Sequence, residues 1–141
     1  SADTIEGYWL SSGSIIEVKT CDEFICAEIS HVFVSDGTDP LTVFDENNSN
    51  KELQNRPLVG VNLFEGFKKE LISNKVLKGG KIYNPNDGKS YKAKLTLLKN
   101  NNLDVQGCVL FVCDGKEWQP LIVTFNPGGS RQATLKSKQE D

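Results

Sequence analysis

The chain has 141 residues, with 16 lysine and arginine residues against 19 acidic residues, a formal net charge of -3 and 38% hydrophobic residues. This length and composition predict a single folded domain and exclude wholesale disorder. No apolar run approaches the roughly 18 residues of a membrane span, and a slightly acidic chain with scattered lysines argues against a nucleic-acid binder.

Short segments in which apolar and polar residues alternate follow one another along the chain, as half-buried β-strands require. Between them lie turn-forming residues and one long polar stretch, residues 35–56, which we predict to be an extended loop. A loop of this length either covers a cavity or is a mobile insertion without function. The predicted strands are residues 5–11, 14–21, 26–34, 58–68, 90–98, 103–112 and 117–125.

Residues 70–77 fit either a strand or a helix, because Phe64, Phe67 and Leu71 also have helical spacing. Residues 79–83 are predicted to enter a hairpin turn at 84–88, where a proline presets φ and an Asp-Gly pair supplies a left-handed position.

A later turn is predicted at Asp114-Gly115, before the last strand. From residue 126 the composition becomes polar and rich in glycine and lysine. We therefore predict a domain over residues 1–125 and a partly ordered polar C-terminal tail over residues 126–141.

Hairpin-length connections between nearly all of these strands predict an antiparallel meander. A meander of eight or more strands avoids exposed edges by closing into an up-and-down barrel. A sandwich needs long crossover connections, and only residues 35–56 offer one. The predicted fold class is therefore all-β: an up-and-down antiparallel barrel of about eight strands, with a long loop and a short polar tail.

The four cysteines fall into two local pairs of similar form, Cys21 with Cys26 and Cys108 with Cys113. Their even number and pairing favour two disulfides over free thiols or a metal site, because the chain has one histidine and no short C-x2-C knuckles. Disulfides indicate a periplasmic or secreted protein. The small residues Ser1-Ala2 fit a mature form from which a leader was removed.

Gly7-Tyr8-Trp9 resembles the G-x-W signature of lipocalins, in which the tryptophan packs across one end of the barrel. Most of the chain is similar to an exported bacterial family of unknown function with a lipocalin-like (calycin) fold. This resemblance implies a lipocalin-like barrel, with Gly7 and Trp9 in structural roles and Arg131 in place of the late arginine that stacks on the tryptophan. The matching stretches are residues 18–21, 24–29, 56–60, 66–68, 79–91 and 107–109.

No catalytic constellation, cofactor motif or metal site is predicted. His31 is the only histidine, and a hydrogen-bonded core or rim position suits it better than a contact with a cavity water or ligand. The glycines at 79–80 and 84–88 lack the order of a phosphate loop, and the oxygens of that turn lack the distal glutamate of a calcium loop. Asp45-Glu46 is expected to be solvated loop charge. We therefore expect a protein that is not an enzyme.

An eight-stranded barrel has an interior that is either filled by side chains or holds one small ligand. The side chains predicted to face inward are bulky and apolar, which favours a hydrophobic ligand, lipid-like or aromatic. No nucleic-acid partner is expected, and the sequence leaves the oligomeric state open, with a monomer slightly favoured. The alternative is a protein- or envelope-interaction module that uses the outer surface of a filled barrel, with Leu110 and Val112 as an apolar patch. The predicted ligand-binding residues are Ile16, Ile29, His31, Phe33, Val61, Leu63, Tyr83, Tyr91, Leu95 and Phe111.

Overall fold

The computed structural model of the protein describes residues 4–136. These residues form nine β-strands and three short 3₁₀ helices, which span Pro40–Thr42, Lys51–Leu53 and Lys69–Ser73. The strands are β1 (Gly7–Ser11), β2 (Ser14–Cys21), β3 (Phe24–Val32), β4 (Phe64–Glu65), β5 (Val76–Asn84), β6 (Lys89–Leu97), β7 (Leu103–Val109), β8 (Val112–Phe125) and β9 (Arg131–Leu135).

The strands pair in the order β3-β2-β1-β8-β7-β6-β5-β4, and every pair is antiparallel. The gap between β3 and β4 is bridged by backbone hydrogen bonds. The amide of Ile25 donates to the Phe67 carbonyl at 2.8 Å, and the amide of Leu63 donates to the Ala27 carbonyl at 2.8 Å. The sheet is therefore a nearly closed barrel of eight strands, which confirms the predicted all-β antiparallel fold.

The predicted strand over residues 58–68 is mostly irregular, and only β4 within it has regular strand structure. The side chain of Asn62 explains the interruption: its Oδ1 accepts hydrogen bonds from the amides of Ala27 at 2.9 Å and Phe64 at 3.1 Å. A side chain thus takes the place of a main-chain acceptor, as short polar side chains often do. Residues 70–77 are part 3₁₀ helix and part β5.

Residues 79–83 belong to β5 and lead into the turn at 84–88, as predicted. The register of the β5–β6 ladder shifts between Leu77 and Gly80, and Gly79 has a φ of 93°, which a glycine adopts without strain. The hairpin turn at 84–88 is confirmed, since Asn84 pairs with Lys89.

The turn between β7 and β8 lies at Leu110-Phe111, so the prediction of a turn at Asp114-Gly115 is wrong. Val109 pairs with Val112, and the following pairs continue the ladder to Leu103 and Trp118. Gly115 lies within β8, where the Val105 carbonyl oxygen leaves no room for a side chain. Glycine therefore serves close backbone approach here.

The second half of β8 pairs with β1 and with β9. Pro120, which has no amide hydrogen to donate to a ladder, lies opposite Trp9 at the seam where the neighbour of β8 changes from β7 to β9. Residues 131–135, which we predicted as tail, form strand β9, and all five of their side chains are exposed. Residues 137–141 of that tail lie outside the described residues.

Both predicted disulfides are present. Cys21–Cys26 joins the strands of the β2–β3 hairpin, and Cys108–Cys113 joins those of the β7–β8 hairpin. No cysteine is free.

Alternating connections give the barrel two different ends. The turns after β1, β5 and β7 and the long β3–β4 connection lie at one end, which we call the open end, and the remaining connections lie at the closed end. Hydrophobic side chains of the long connection, among them Val34, Val43 and Leu58, pack against the core and cover part of the open end. None of the helices within residues 4–136 is long and apolar enough to span a membrane.

Candidate functional site

The inward-facing residues of β5 to β8 form layers, because the strand register places a residue of each strand opposite a residue of the next strand. From the closed end, the first three layers are Leu97, Leu103 and Trp118, then Leu77, Leu95, Val105 and Lys116, then Gly80, Ala93, Gly107 and Asp114. Continuing the register, the last layer consists of Ile82, Tyr91, Val109 and Val112.

Burial decreases along these layers towards the open end. The layer at the closed end is buried, whereas Ile82, Tyr91 and Gly107 are only half-buried. Val109 and Val112 are exposed, as are the polar side chains that β8 contributes to this side. The inner surface of this wall is therefore covered at the bottom and accessible at the top.

Large aromatic side chains fill the closed half of the barrel. The rings of Phe64 and Trp118 stack with their centroids 6.0 Å apart and their planes 5° apart, and Phe67 meets Phe64 edge-on at 5.3 Å. The Phe67 ring also occupies the position that a side chain at Gly80 would take, because a Cβ there would lie 2.5 Å from it. This part of the interior is packed at the density of a normal core.

Five predicted ligand-binding residues are buried in that core: Ile16, Ile29, Val61, Leu63 and Leu95. Ile16, Ile29 and Leu95 face inward from β2, β3 and β6 as their alternation predicts, whereas Val61 and Leu63 are buried from an irregular segment. The side chain of Tyr91 also shares the inner face, opposite Ile82, but it lies at the open end, where its hydroxyl group donates a hydrogen bond to Asp87. The predicted set thus divides into a packed core and one half-buried residue at the mouth.

Phe33 and His31 do not face the interior, and that prediction is wrong. Ile15 pairs with His31 while Ile16 pairs with Ile29, so Ser30 is an extra residue in β3 that reverses the alternation. Val32 then enters the core, while Phe33 is 54% exposed. The His31 ring is half-exposed and lies edge-on to Phe33 at 5.1 Å.

Phe111 is also misplaced by the sequence prediction, which set it on the inner face of a strand. It is the second residue of the β7–β8 turn and is 100% exposed. Arg131 does not cover Trp9, because Arg131 is exposed and pairs with Phe125, whereas Trp9 pairs with Pro120. Trp9 is buried, and its indole N–H donates to the Ile5 carbonyl at 2.9 Å.

Asp45, expected to be solvated, is buried and fastens the long loop to β5. Its carboxylate accepts hydrogen bonds from the Tyr83 hydroxyl at 2.7 Å, from Asn48 Nδ2 at 2.9 Å and from Arg56 Nε at 3.0 Å. Burial of such a charge is tolerated when it is paired and hydrogen-bonded. Burial and the hydrogen bond to Asp45 raise the pKa of Tyr83 from 10.0 to about 12. Tyr83, on the face of β5 opposite Ile82, is therefore a loop anchor and not part of the inner surface.

A cleft of about 630 Å³ lies between this loop and the outer side of β4, β5 and β6. Its walls combine polar and charged side chains with apolar ones. The polar residues include Asn48, Arg56, Glu65, Lys81 and Ser90, and the apolar ones include Leu53, Leu63 and Phe64. The sequence carried no signal for this cleft, because it exists only where the loop meets the sheet. Among residues 4–136, no group of three or more histidine, cysteine or acidic side chains is arranged to hold a metal ion.

Comparison with known proteins agrees with this architecture. A solved structure from the human pathogen Helicobacter pylori, described as a protein that belongs to the lipocalin family, superposes with a TM-score of 0.66 at 24% sequence identity. The match covers 84% of this chain and 83% of that one. No curated protein matches the chain. At this identity the likeness concerns the fold, which is a lipocalin-like barrel.

The sequence pattern of one protein family matches residues 7–120, from the glycine of the G-x-W motif to the proline at the seam of β8. This range contains both disulfides, the long loop, strands β1 to β7 and β8 as far as Pro120. The chain therefore belongs to the family described as "Uncharacterized protein conserved in bacteria (DUF2147)".

Proposed function

We propose that this protein is a non-enzymatic binding protein that takes up a small hydrophobic ligand, lipid-like or aromatic, in the upper part of the barrel interior. The observation that carries the proposal is the decrease in burial along the inward-facing layers of β5 to β8. Apolar side chains that face inward without being covered form the kind of concave surface that small-molecule sites use.

The chemistry of this surface sets the ligand class. Ile82 and the ring of Tyr91 supply apolar contacts, and both side chains lie close to Gly107. The hydroxyl of Tyr91, near Asp87, offers one polar contact at the rim. A molecule with an aliphatic or aromatic body and a polar end fits such a surface, because its apolar part leaves water while its polar end remains solvated.

The closed half limits how deep a ligand reaches. Phe67 fills the space beside Gly80, and the Phe64 ring stacks on Trp118, which belongs to the layer at the closed end. Displacing these rings would open a cavity in a close-packed core at a cost of several kcal/mol, about 3–5 for a phenylalanine or tryptophan truncation. The ligand therefore stays above Ala93.

The two disulfides support a place outside the cytoplasm, where such bonds persist. A ligand carrier in that setting meets lipids and aromatic small molecules directly. This location belongs to the proposal and is tested separately, by alkylating the cysteines of protein taken from its native host before and after reduction. Cysteines that react without reductant would contradict it.

The experiment for the binding site is a fluorescence titration with cis-parinaric acid, a small fatty-acid probe. Tyr91→Glu places a charge on the inner face of β6 and is expected to weaken probe binding at least about tenfold, since an unpaired charge resists desolvation. Ser90→Glu is the matched control: it adds the same charge one residue away on the outer face and should leave binding unchanged.

Ile82→Glu repeats the test from β5. It leaves Tyr91 in place beside Gly107, where the two residues are so close that a Cβ built on Gly107 would lie 3.1 Å from the Tyr91 Cβ. Near-ultraviolet circular dichroism checks that each variant is folded. If both inner-face variants bind the probe as tightly as the parent, the barrel is a filled scaffold and its outer surface carries the function.

A further inference from the structure

The tip of the β7–β8 hairpin, residues 109–112, is an exposed apolar surface, and its apex residues Leu110 and Phe111 take no part in the ligand proposal. Residues 109–112 read Val-Leu-Phe-Val, and their exposed fractions are 58%, 89%, 100% and 73%. Val109 pairs with Val112, while Leu110 and Phe111 form the two-residue turn at the apex. Four consecutive apolar side chains therefore project into solvent, where singly scattered ones are normal.

The conformation of this turn is unusual for its sequence. Leu110 has a φ of 55°, a left-handed value that glycine, asparagine and aspartate adopt readily and that costs a leucine about 1–2 kcal/mol. Packing of the Leu110 side chain does not offset this free-energy cost, because the side chain is almost wholly exposed. A strained residue that contributes no packing to the fold indicates a role in contact with another molecule.

The tip is held by a disulfide and not by packing against the hydrophobic core. The disulfide Cys108–Cys113 joins directly opposed residues immediately below Val109 and Val112. The apolar side chains extend in several directions from a convex knob. A flat protein surface would cover only one side of such a knob, whereas a fluid apolar medium covers all of it.

The two strands that follow β7 in the sheet, β6 and β5, carry many lysines. β5 and β6 carry five lysines, Lys78, Lys81, Lys89, Lys92 and Lys94, and no acidic residue. Lys92 lies opposite Cys108, and Lys81 lies opposite Lys92. Two directly opposed lysines repel each other, and neither takes part in the ion pairs found within residues 4–136. Glu65 of β4 lies opposite Lys81 on its other side, so the row of Glu65, Lys81 and Lys92 carries a net positive charge. Two further carboxylates, Asp87 and Asp114, lie in the β5–β6 turn and on β8, and Asp87 is hydrogen-bonded to Tyr91.

We propose that the β7–β8 tip inserts into the surface of a bilayer containing anionic lipids, with Lys81 and Lys92 at the level of the phosphates. The strand rise of about 3.3 Å per residue places Phe111 roughly 7–10 Å beyond the disulfide, which matches the depth of interfacial apolar anchors. Lysines at the disulfide level then reach the headgroups, where each contributes about 1 kcal/mol of attraction. Leu110 and Phe111 do not face the barrel interior, so this inference is independent of the ligand proposal.

The first test is co-sedimentation with vesicles of equimolar phosphatidylglycerol and phosphatidylcholine. The double substitution Leu110→Ser/Phe111→Ser is expected to lower the partition coefficient at least about tenfold, because it removes the apolar area that would be buried. Ile122→Ser/Phe125→Ser removes two other exposed apolar residues on the β8–β9 hairpin at the closed end and should change binding less than twofold. Equal loss in both double variants, or no binding by the parent protein, overturns the proposal.

The lysines are tested in the same assay. Lys81→Gln/Lys92→Gln should reduce binding to the anionic vesicles about tenfold and leave the weak binding to pure phosphatidylcholine unchanged. Lys99→Gln/Lys136→Gln, at the closed end, is the control of equal charge and should follow the parent. If the two lysine variants behave alike, general charge attraction replaces the proposed orientation.

Insertion is measured directly with a tryptophan at the tip. Trp9 and Trp118 are 2% and 4% exposed, so Phe111→Trp adds the exposed reporter. Acyl-chain-brominated lipids should quench its emission, and they should not quench the matched reporter Ile122→Trp. No quenching at position 111, or a tip-dependent dimer in solution that fails to bind vesicles, assigns the tip to a protein contact and overturns the membrane proposal.

Discussion

The β2–β3 and β7–β8 hairpins are built alike. Each has a two-residue turn and a disulfide between cysteines five positions apart. In each turn the first residue has a left-handed backbone, with a φ of 54° at Asp22 and 55° at Leu110. Their surfaces differ: the β2–β3 turn is Asp-Glu, and the β7–β8 turn is Leu-Phe.

Their surroundings differ as well. The β2–β3 hairpin lies on the barrel, with Ile25 in the core, its amide bonded to Phe67, and Glu23 paired with Lys69 at 3.2 Å. The β7–β8 tip has exposed side chains on all sides. A disulfide across a short hairpin is thus compatible with a packed or a free tip, and what the tip displays is independent of what holds it together.

The largest expected effect separates the hairpins by packing. Ile25→Ala should lower the free energy of unfolding by about 2–5 kcal/mol, because it leaves a cavity in the core. Phe111→Ala should change it by less than about 0.5 kcal/mol, because that ring is already in water. Urea unfolding of the two variants measures the difference. Similar losses in both would mean that the β7–β8 tip packs against the protein in solution.

Removing each disulfide is expected to have a smaller and more local effect. Loop-closure entropy for a six-residue loop gives a loss of about 2 kcal/mol for either pair of cysteine-to-serine substitutions. Amide hydrogen exchange should then distinguish them. In Cys21→Ser/Cys26→Ser the amide of Ile25 stays protected by its bond to Phe67, whereas in Cys108→Ser/Cys113→Ser residues 109–112 should exchange freely. Equal protection in both variants would contradict the contrast.

The sequence predicted the barrel because strand alternation is a local pattern. Tyr91, Ala93 and Leu95 share the inner face as their spacing indicates, and the paired cysteines were joined correctly. Alternation fails at one extra residue, since Ser30 turns His31 and Phe33 outward. The residue pattern of a single strand does not indicate where such a bulge lies.

The site was harder to predict because it depends on distant partners. The burial of Asp45 requires Arg56 and Tyr83, the latter 38 positions away along the chain. At the β7–β8 turn, the local preference of Asp114-Gly115 for turns is overridden by the register that pairs Cys108 with Cys113. Local propensity is a weak guide where long-range contacts or a covalent link decide.

Leu110→Asn is expected to have a moderate effect, of opposite sign to the previous two. Asparagine tolerates a left-handed φ, so the substitution should raise the free energy of unfolding by about 1 kcal/mol while weakening vesicle binding. Asp22→Asn, at the corresponding position of the other hairpin, should leave stability nearly unchanged, because aspartate and asparagine both tolerate a left-handed φ. Thermal and urea unfolding provide the comparison, and a less stable Leu110→Asn protein would show that the turn is not strained.

The smallest expected effect concerns pH, and it distinguishes the tip from the loop beside it at the open end. Residues 109–112 have no titratable side chain, whereas the loop is fastened through Tyr83, whose pKa is raised to about 12 by burial and by its hydrogen bond to Asp45. A raised pKa means that the folded protein holds this proton more tightly than the unfolded chain, so its stabilising contribution is complete below pH 10 and is lost as the pH rises through about 12. Stability should therefore fall over that interval more steeply in the parent than in Tyr83→Phe, and the phenolate absorbance that develops near pH 12 should be smaller in the variant, which retains Tyr8 and Tyr91. Parallel curves for the two proteins would mean that Tyr83 titrates as a free phenol and that Arg56 and Asn48 hold Asp45 without it.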